Sequence, residues 1–176
     1  MSDQILATIK SRRVIREMSD KPVDREHLEK IIEAGRWAPA AGNQRTIRFI
    51  VVQDSLNLKL IRMFSPGMFQ RPQAIILFCI DSNIIRANQF SEKDPSPFID
   101  LGATMQTMML AAHGIGLGSG PVTSFSKEAI RVILKIPSHL RPEMMIPIGY
   151  QGPKPQLPMR TKKRVTWQSL TVWEHY

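Results

Sequence analysis

The chain is poor in the residues that hold small secreted scaffolds together. It has a single cysteine, Cys79. That excludes an intrachain disulfide framework and fits a reducing compartment. No stretch approaches the roughly 18 to 20 uncharged apolar residues that a transmembrane helix needs. The N-terminus, Met-Ser-Asp-Gln, has no basic segment leading into an apolar run, so no signal peptide is expected and the expected location is cytoplasmic. The histidines at 27, 113, 139 and 175 have no metal-ligand spacing with one another or with Cys79, so no metal site is expected. There is no G-x-S-x-G elbow, no P-loop and no G-x-G-x-x-G dinucleotide fingerprint. Cys79 lies within an apolar run and reads as core, and His113 reads as structural.

What is present is a core-forming composition. Hydrophobic residues make up 43% of 176 residues, too many for a disordered chain. The length fits one domain spanning 1–176, with about 152–176 as a C-terminal tail. The formal net charge of +9 invites a nucleic-acid reading. However, the basic residues fall in two short clusters, Arg12-Arg13-Arg16 and Arg160-Lys162-Lys163-Arg164, which suit one small anion as well as a polymer.

Helical spacing predicts a short helix over 4–11. A second begins after Asp24 and runs to about Trp37, with Leu28, Ile31, Ile32 and Gly35 as its stripe and Pro39 as its stop. Phe49–Gln53 reads as a strand and Leu56–Met63 as a helix. Residues 74–80, AIILFCI, read as a strand buried on both faces. Residues 82–97 read as an irregular loop. The strongest helix runs from about Phe98 to His113, with Gly114 as its C′ glycine. It is apolar nearly all round, as a helix at a subunit interface would be. Leu117–Val122 is a turn or strand, Ser126 caps a helix to Leu134, and Met144–Gly149 is a further strand. Helices and strands mix without βαβ alternation, so the expected class is α+β. The tail is basic and rich in proline, and it carries Trp167 and Trp173, which suit docking onto another surface.

Four segments could carry chemistry. Ser11-Arg12-Arg13-Val14-Ile15-Arg16 offers guanidinium forks suited to phosphate, or a solvated basic turn. Ala40-Ala41-Gly42-Asn43-Gln44 offers small residues and amides suited to the polar edge of a heterocycle, or an ordinary loop. In Gly114-Ile115-Gly116-Leu117-Gly118-Ser119-Gly120, helix capping explains Gly114 but not the later glycines. The basic tail offers a second set of phosphate ligands, or a solvated extension.

The order of these segments resembles the FMN-dependent nitroreductase family. That order is Arg-Arg-x-x-Arg, a helix, Ala-Pro-small-small-Gly-Asn, a strand, a buried strand, an apolar helix ending Gly-x-Gly-Leu-Gly-Ser, a strand ending Ile-Gly-Tyr and a Lys-x-Arg tail. The resemblance implies an α+β fold with a central, mainly antiparallel sheet flanked by helices, in an intertwined homodimer whose tail embraces the partner. It implies FMN as cofactor, NAD(P)H as electron donor, and a small electrophilic acceptor such as a nitroaromatic or quinone, reduced by ping-pong kinetics. Arg12 and Arg13 would meet the FMN phosphate, with Val14 standing where the family often has serine. Arg16 would lie at the N1–O2 edge and stabilise the reduced flavin. Ala40, Ala41, Asn43 and Gln44 would approach from the partner subunit, and Gly118, Ser119 and Gly120 would lie against the ring. Lys162 and Arg164 match the tail phosphate ligands, with Arg160 the alternative. No side chain is assigned a catalytic role, because the flavin carries the chemistry. The family's Gln-Pro-Trp element is absent here, and Arg45 stands at the glutamine's position. The competing expectations are a flavin-binding protein with little turnover and a basic nucleic-acid-binding protein. Neither the physiological acceptor nor the choice of NADH or NADPH is legible.

Overall fold

The architecture comes from a computed structural model that describes residues 2–88, 91, 94–153 and 165–174. The tail cations Arg160, Lys162 and Arg164 therefore lie outside the described residues. Among the described residues, four strands form one antiparallel sheet in the order β1-β2-β4-β3. They are β1 (Ile47–Val52), β2 (Ala74–Asp81), β3 (Gly118–Ser119) and β4 (Leu140–Gly149). The helices are α1 (Ser2–Ser11), α2 (Arg25–Arg36), α3 (Ser55–Met63), α4 (Ser82–Ala87), α5 (Ser96–Gly114) and α6 (Lys127–Ile133). No helix among the described residues is long and apolar enough to cross a membrane.

Every residue of β2 is buried. Because successive side chains in a strand point to opposite faces, β2 feeds two cores. Ala74, Ile76, Phe78 and Ile80 pack with residues of α2 and α5, including Leu28, Ile31, Leu101, Met108 and Ala112. Ile75, Leu77 and Cys79 pack with Leu58 and Ile61 of α3 and Ile130 of α6. Full burial of each large aliphatic side chain stabilises by about 1.5–3 kcal/mol, so this one strand anchors both layers. Burial also pushes the Cys79 thiol up to about 12, with the Glu143 carboxylate adding to the shift, as befits a core cysteine.

Three elements depart from the sequence expectations. The segment 82–97 is not wholly irregular. Asp81 ends β2 and its carboxylate accepts from the Asn83 N–H at 3.0 Å, which starts the short α4. Gly114 is not the C′ residue. α5 runs through it, and the left-handed position is Gly116 at φ +81°. There the Leu117 N–H reaches Ala112 O at 2.8 Å and the Gly116 N–H reaches His113 O at 3.1 Å, the paired bonds of a Schellman ending. β4 starts four residues before Met144. Its Arg141-Pro142-Glu143 hides the strand from an apolar-run search. The register shifts there, so that Phe78 pairs Met144 while Cys79 pairs Pro142, leaving Glu143 as the extra residue. A bulge of this kind tolerates proline within a strand.

Candidate functional site

The N-terminal arginines are placed by the end of α1. The Ser11 hydroxyl lies 2.9 Å from His113 Nε2, which ties this end to the last turn of α5. The chain then extends, and Val14 pairs with Ser119 in parallel fashion. The Ile15 N–H donates to Ser119 O at 3.0 Å. This explains the later glycines. A Cβ on Gly118 would lie 2.7 Å from Ile15 Cβ, and one on Gly120 would lie 2.6 Å from Val14 Cγ1. The small residues let the N-terminal segment cross β3 at close range. The sequence motifs at 12–16 and 118–120 are thus one structural unit.

Within that unit the arginines differ. Arg12 is half-buried, and its Nη1 is buried with no hydrogen-bond partner. Arg13 is exposed and turns back, donating from Nη1 to Lys10 O at 2.6 Å and to Arg12 O at 2.9 Å, so it caps the open carbonyls of α1. Arg16 borders a cleft of about 330 Å³ together with Glu17, Asp20, Phe69 and Arg71.

Sequence reasoning passed over Gln70. Its side chain is buried, at 3% exposure. Nε2 donates to Ile15 O at 3.1 Å and lies 3.2 Å from the Cβ position of Gly120, while Oε1 is buried without a partner. The segments that meet at this crossing therefore carry an unsatisfied buried donor, on Arg12, and an unsatisfied buried acceptor, on Gln70. Each costs about 1–3 kcal/mol while unmet, which is a reason to look for a polar ligand there. Nothing in a lone glutamine of a loop could have marked Gln70 in advance.

The loop at 40–44 lies elsewhere. Ala41–Asn43 form a 3-10 turn in which Gly42 and Asn43 both have φ +55°. Both oxygens of the Asp100 carboxylate accept from the Ala41 N–H, at 3.0 and 3.1 Å. Asp100 is buried in the first turns of α5, so the loop is pinned to that helix's N-terminal end. An acid in an otherwise apolar helix was a legible signal of such a tether. Asn43 is exposed and Gln44 half-buried. Arg45, also left-handed at φ +52°, donates to Ala38 O at 2.7 Å. From Asp100 to His113 the helix rises about 20 Å. One chain therefore brings Arg12, Val14, Arg16, Gly118, Ser119 and Gly120 together, and holds Ala40, Ala41, Asn43 and Gln44 far from them.

This arrangement defines an α+β protein whose candidate site is built on a strand crossing at the C-terminal end of α5. A family model described as the nitroreductase family matches residues 9–94 and, in an overlapping second segment, 62–150. A protein of Methanothermobacter thermautotrophicus, provisionally named an NADH dehydrogenase/NAD(P)H nitroreductase, is 33% identical over 158 residues, covering 86% of this chain and 79% of that protein. The Bacillus subtilis protein named FMN reductase (NAD(P)H) is 28% identical over 179 residues, covering 89% of this chain and 71% of that protein. The crystal structure of a nitroreductase family protein from Clostridium difficile 630 superposes with a TM-score of 0.81 at 29% identity, covering 96% of this chain and 97% of the other. The chain belongs to the nitroreductase family and is an oxidoreductase.

Proposed function

We propose that the protein is a homodimeric FMN oxidoreductase that takes hydride from NAD(P)H and reduces a small electrophilic acceptor. The observation that carries this is the Arg12 Nη1 donor, buried and unpartnered, two residues before the Val14 that crosses Ser119. A phosphate would satisfy it with a charge-assisted bond. Gln70, whose Nε2 holds Ile15 O at the crossing, offers in Oε1 an acceptor suited to a ring N–H. The donor and acceptor types present fit a phosphorylated heterocycle. When bound, FMN would supply a ring that accepts hydride and passes it to the acceptor in two successive half-reactions.

The protein's part is binding and orientation. Arg12 would anchor the phosphate, joined by Lys162 and Arg164, or by Arg160, from the tail. Arg13 could join only by giving up its hold on the α1 carbonyls. The backbone of Gly118, Ser119 and Gly120 would form a flat support. Arg16 would hold a positive charge near the ring edge, favouring the negative charge that reduction brings.

The separation within α5 supports the dimer. A single chain cannot wrap one ring with both the arginine crossing and the 40–44 loop when about 20 Å of helix lies between their tethers. Two copies of α5 packed antiparallel across a two-fold would set the N-terminal end of one beside the C-terminal end of the other. The unburied face of α5 supports this. Ile99 is 66% exposed, and a Cβ on Gly102 or Gly114 would meet nothing within 4 Å. Apolar side chains at Ile5, Leu6, Trp167 and Trp173 are also left exposed in the single chain, as a clasping partner would require.

The test is the absorption spectrum of the purified, FMN-reconstituted protein before and after anaerobic NADH or NADPH. Flavin absorbance that bleaches with either donor and returns on adding a nitroaromatic or quinone supports the reading. No flavin after reconstitution, or a flavin that neither donor bleaches, overturns it.

A further inference from the structure

The opposite end of the sheet carries a second concentration of charge that the flavin reading does not use. A cleft of about 430 Å³ lies between the end of β2, α4, α6 and the start of β4. Arg86, Lys127, Arg131 and Arg141 line it, together with His139. Two carboxylates offset the four cations. Glu143, its side chain 9% exposed, is paired with both Lys127 and Arg141. Glu128 stands 4.0 Å from Arg131. A surplus of two positive charges remains.

Three of these cations are held by neighbouring side chains. A nearly buried carboxylate shared by Lys127 and Arg141 restrains both side chains, and Arg86 donates to Asn83 Oδ1 at 2.7 Å. Ordering that a mobile surface cation would undergo on binding has largely happened already, so the entropic cost of capturing an anion is reduced. Apolar walls at Ile80 and Pro142 exclude solvent from one side and strengthen the field inside the cleft. From Arg141 to Gly149, which pairs with Gly118, β4 spans about 26 Å. In this chain the cleft is therefore separate from the Arg12 crossing.

We propose that this cleft is a second anion site, for a small molecule bearing a diphosphate group. Three guanidinium forks, on Arg86, Arg131 and Arg141, around one open cleft match adjacent phosphates, which offer many acceptor oxygens and more than one negative charge. An extended polyanion would need an open basic stripe, whereas here the cations surround a pocket.

The test is calorimetric titration of the full-length flavin-loaded protein with inorganic pyrophosphate and, separately, with ADP, at about 0.15 M salt so that loose surface association is screened. One pyrophosphate should bind per chain. The double variant Arg86→Gln/Arg131→Gln should weaken it at least about tenfold, the loss of charge-assisted bonds, with thermal midpoint and flavin content unchanged. Arg12→Ala, which addresses the other anion site, should leave the pyrophosphate affinity intact. Tighter binding of ADP would identify a nucleotide as the source of the diphosphate, and equal binding a free polyphosphate; both support the site. No binding at millimolar pyrophosphate, binding insensitive to the double variant, or binding abolished by Arg12→Ala would each overturn it.

Discussion

Adding one methyl group at Gly118 tests the crossing on which the site rests. The new Cβ would stand 2.7 Å from Ile15 Cβ, 2.7 Å from Cγ1 and 2.8 Å from Cγ2. Carbon atoms in contact prefer about 3.5–4.0 Å, so the two segments must part by most of an ångström. Three atoms close to the backbone are involved, and no single rotamer change of Ile15 relieves them. The movement also strains the 3.0 Å bond from the Ile15 N–H to Ser119 O. Overpacking of this kind costs about 1–3 kcal/mol. For a chain of this length that lowers the melting temperature by roughly 2–12 °C. The displacement would be passed along the segment to Arg12, so FMN affinity should fall with stability. Gly120→Ala should cost less, because only one methyl of Val14, at 2.6 Å, and the Gln70 amide are in the way. The assay is thermal unfolding of both apo-variants, with FMN dissociation constants measured on the same samples. A Gly118→Ala protein that melts with wild type and binds FMN equally well would refute the close crossing. So would a Gly120→Ala protein harmed more than Gly118→Ala.

Arg12→Ala should weaken FMN binding about ten- to a hundredfold, the worth of roughly 1.5–3 kcal/mol in a charge-assisted bond, while the apo-protein melts no lower than wild type. An unchanged dissociation constant by fluorescence titration would show that Arg12 does not hold the phosphate. Cys79 should resist thiol reagents in the native protein at pH 8 and react on unfolding. Because its folded pKa is raised to about 12, folding favours the protonated thiol. Its contribution to stability is full below the ordinary value of 9.0 and is lost as pH climbs from there toward 12, which denaturant titrations at pH 8 and 10 should detect in comparison with Cys79→Ala. Deleting residues 160–176 should lower both dimer stability and flavin retention, read by sedimentation and absorbance on one sample. A truncated chain that keeps both would remove the tail from the site.

Local chemistry and periodicity made much of this protein legible. The apolar run at 74–80, short, bounded by turn signals and without a polar face to give to water, read as a strand buried on both faces, which it is. Ser126 and its following helix followed from hydrogen-bond chemistry between near neighbours, the hydroxyl accepting from the Ala129 N–H at 3.3 Å. The α+β class followed from the lack of βαβ alternation, and the antiparallel, helix-flanked sheet was what the resemblance to the nitroreductase family implied. What stayed hidden depends on contacts between segments far apart in the chain. The strand at Leu140–Pro142 is visible only through the bulge it makes against Phe78 and Cys79. Gly118 and Gly120 are small because Val14 and Ile15, about a hundred residues earlier, run across them. Gln70 matters because its amide reaches Ile15 O across 55 positions. The separation of the arginine crossing from the 40–44 loop is a matter of helix length and of which end each segment is tied to, Ser11 to His113 and Ala41 to Asp100. A sequence records which residues can bond. Which of those bonds can coexist in one chain is decided by three-dimensional reach, and that is a property of the fold.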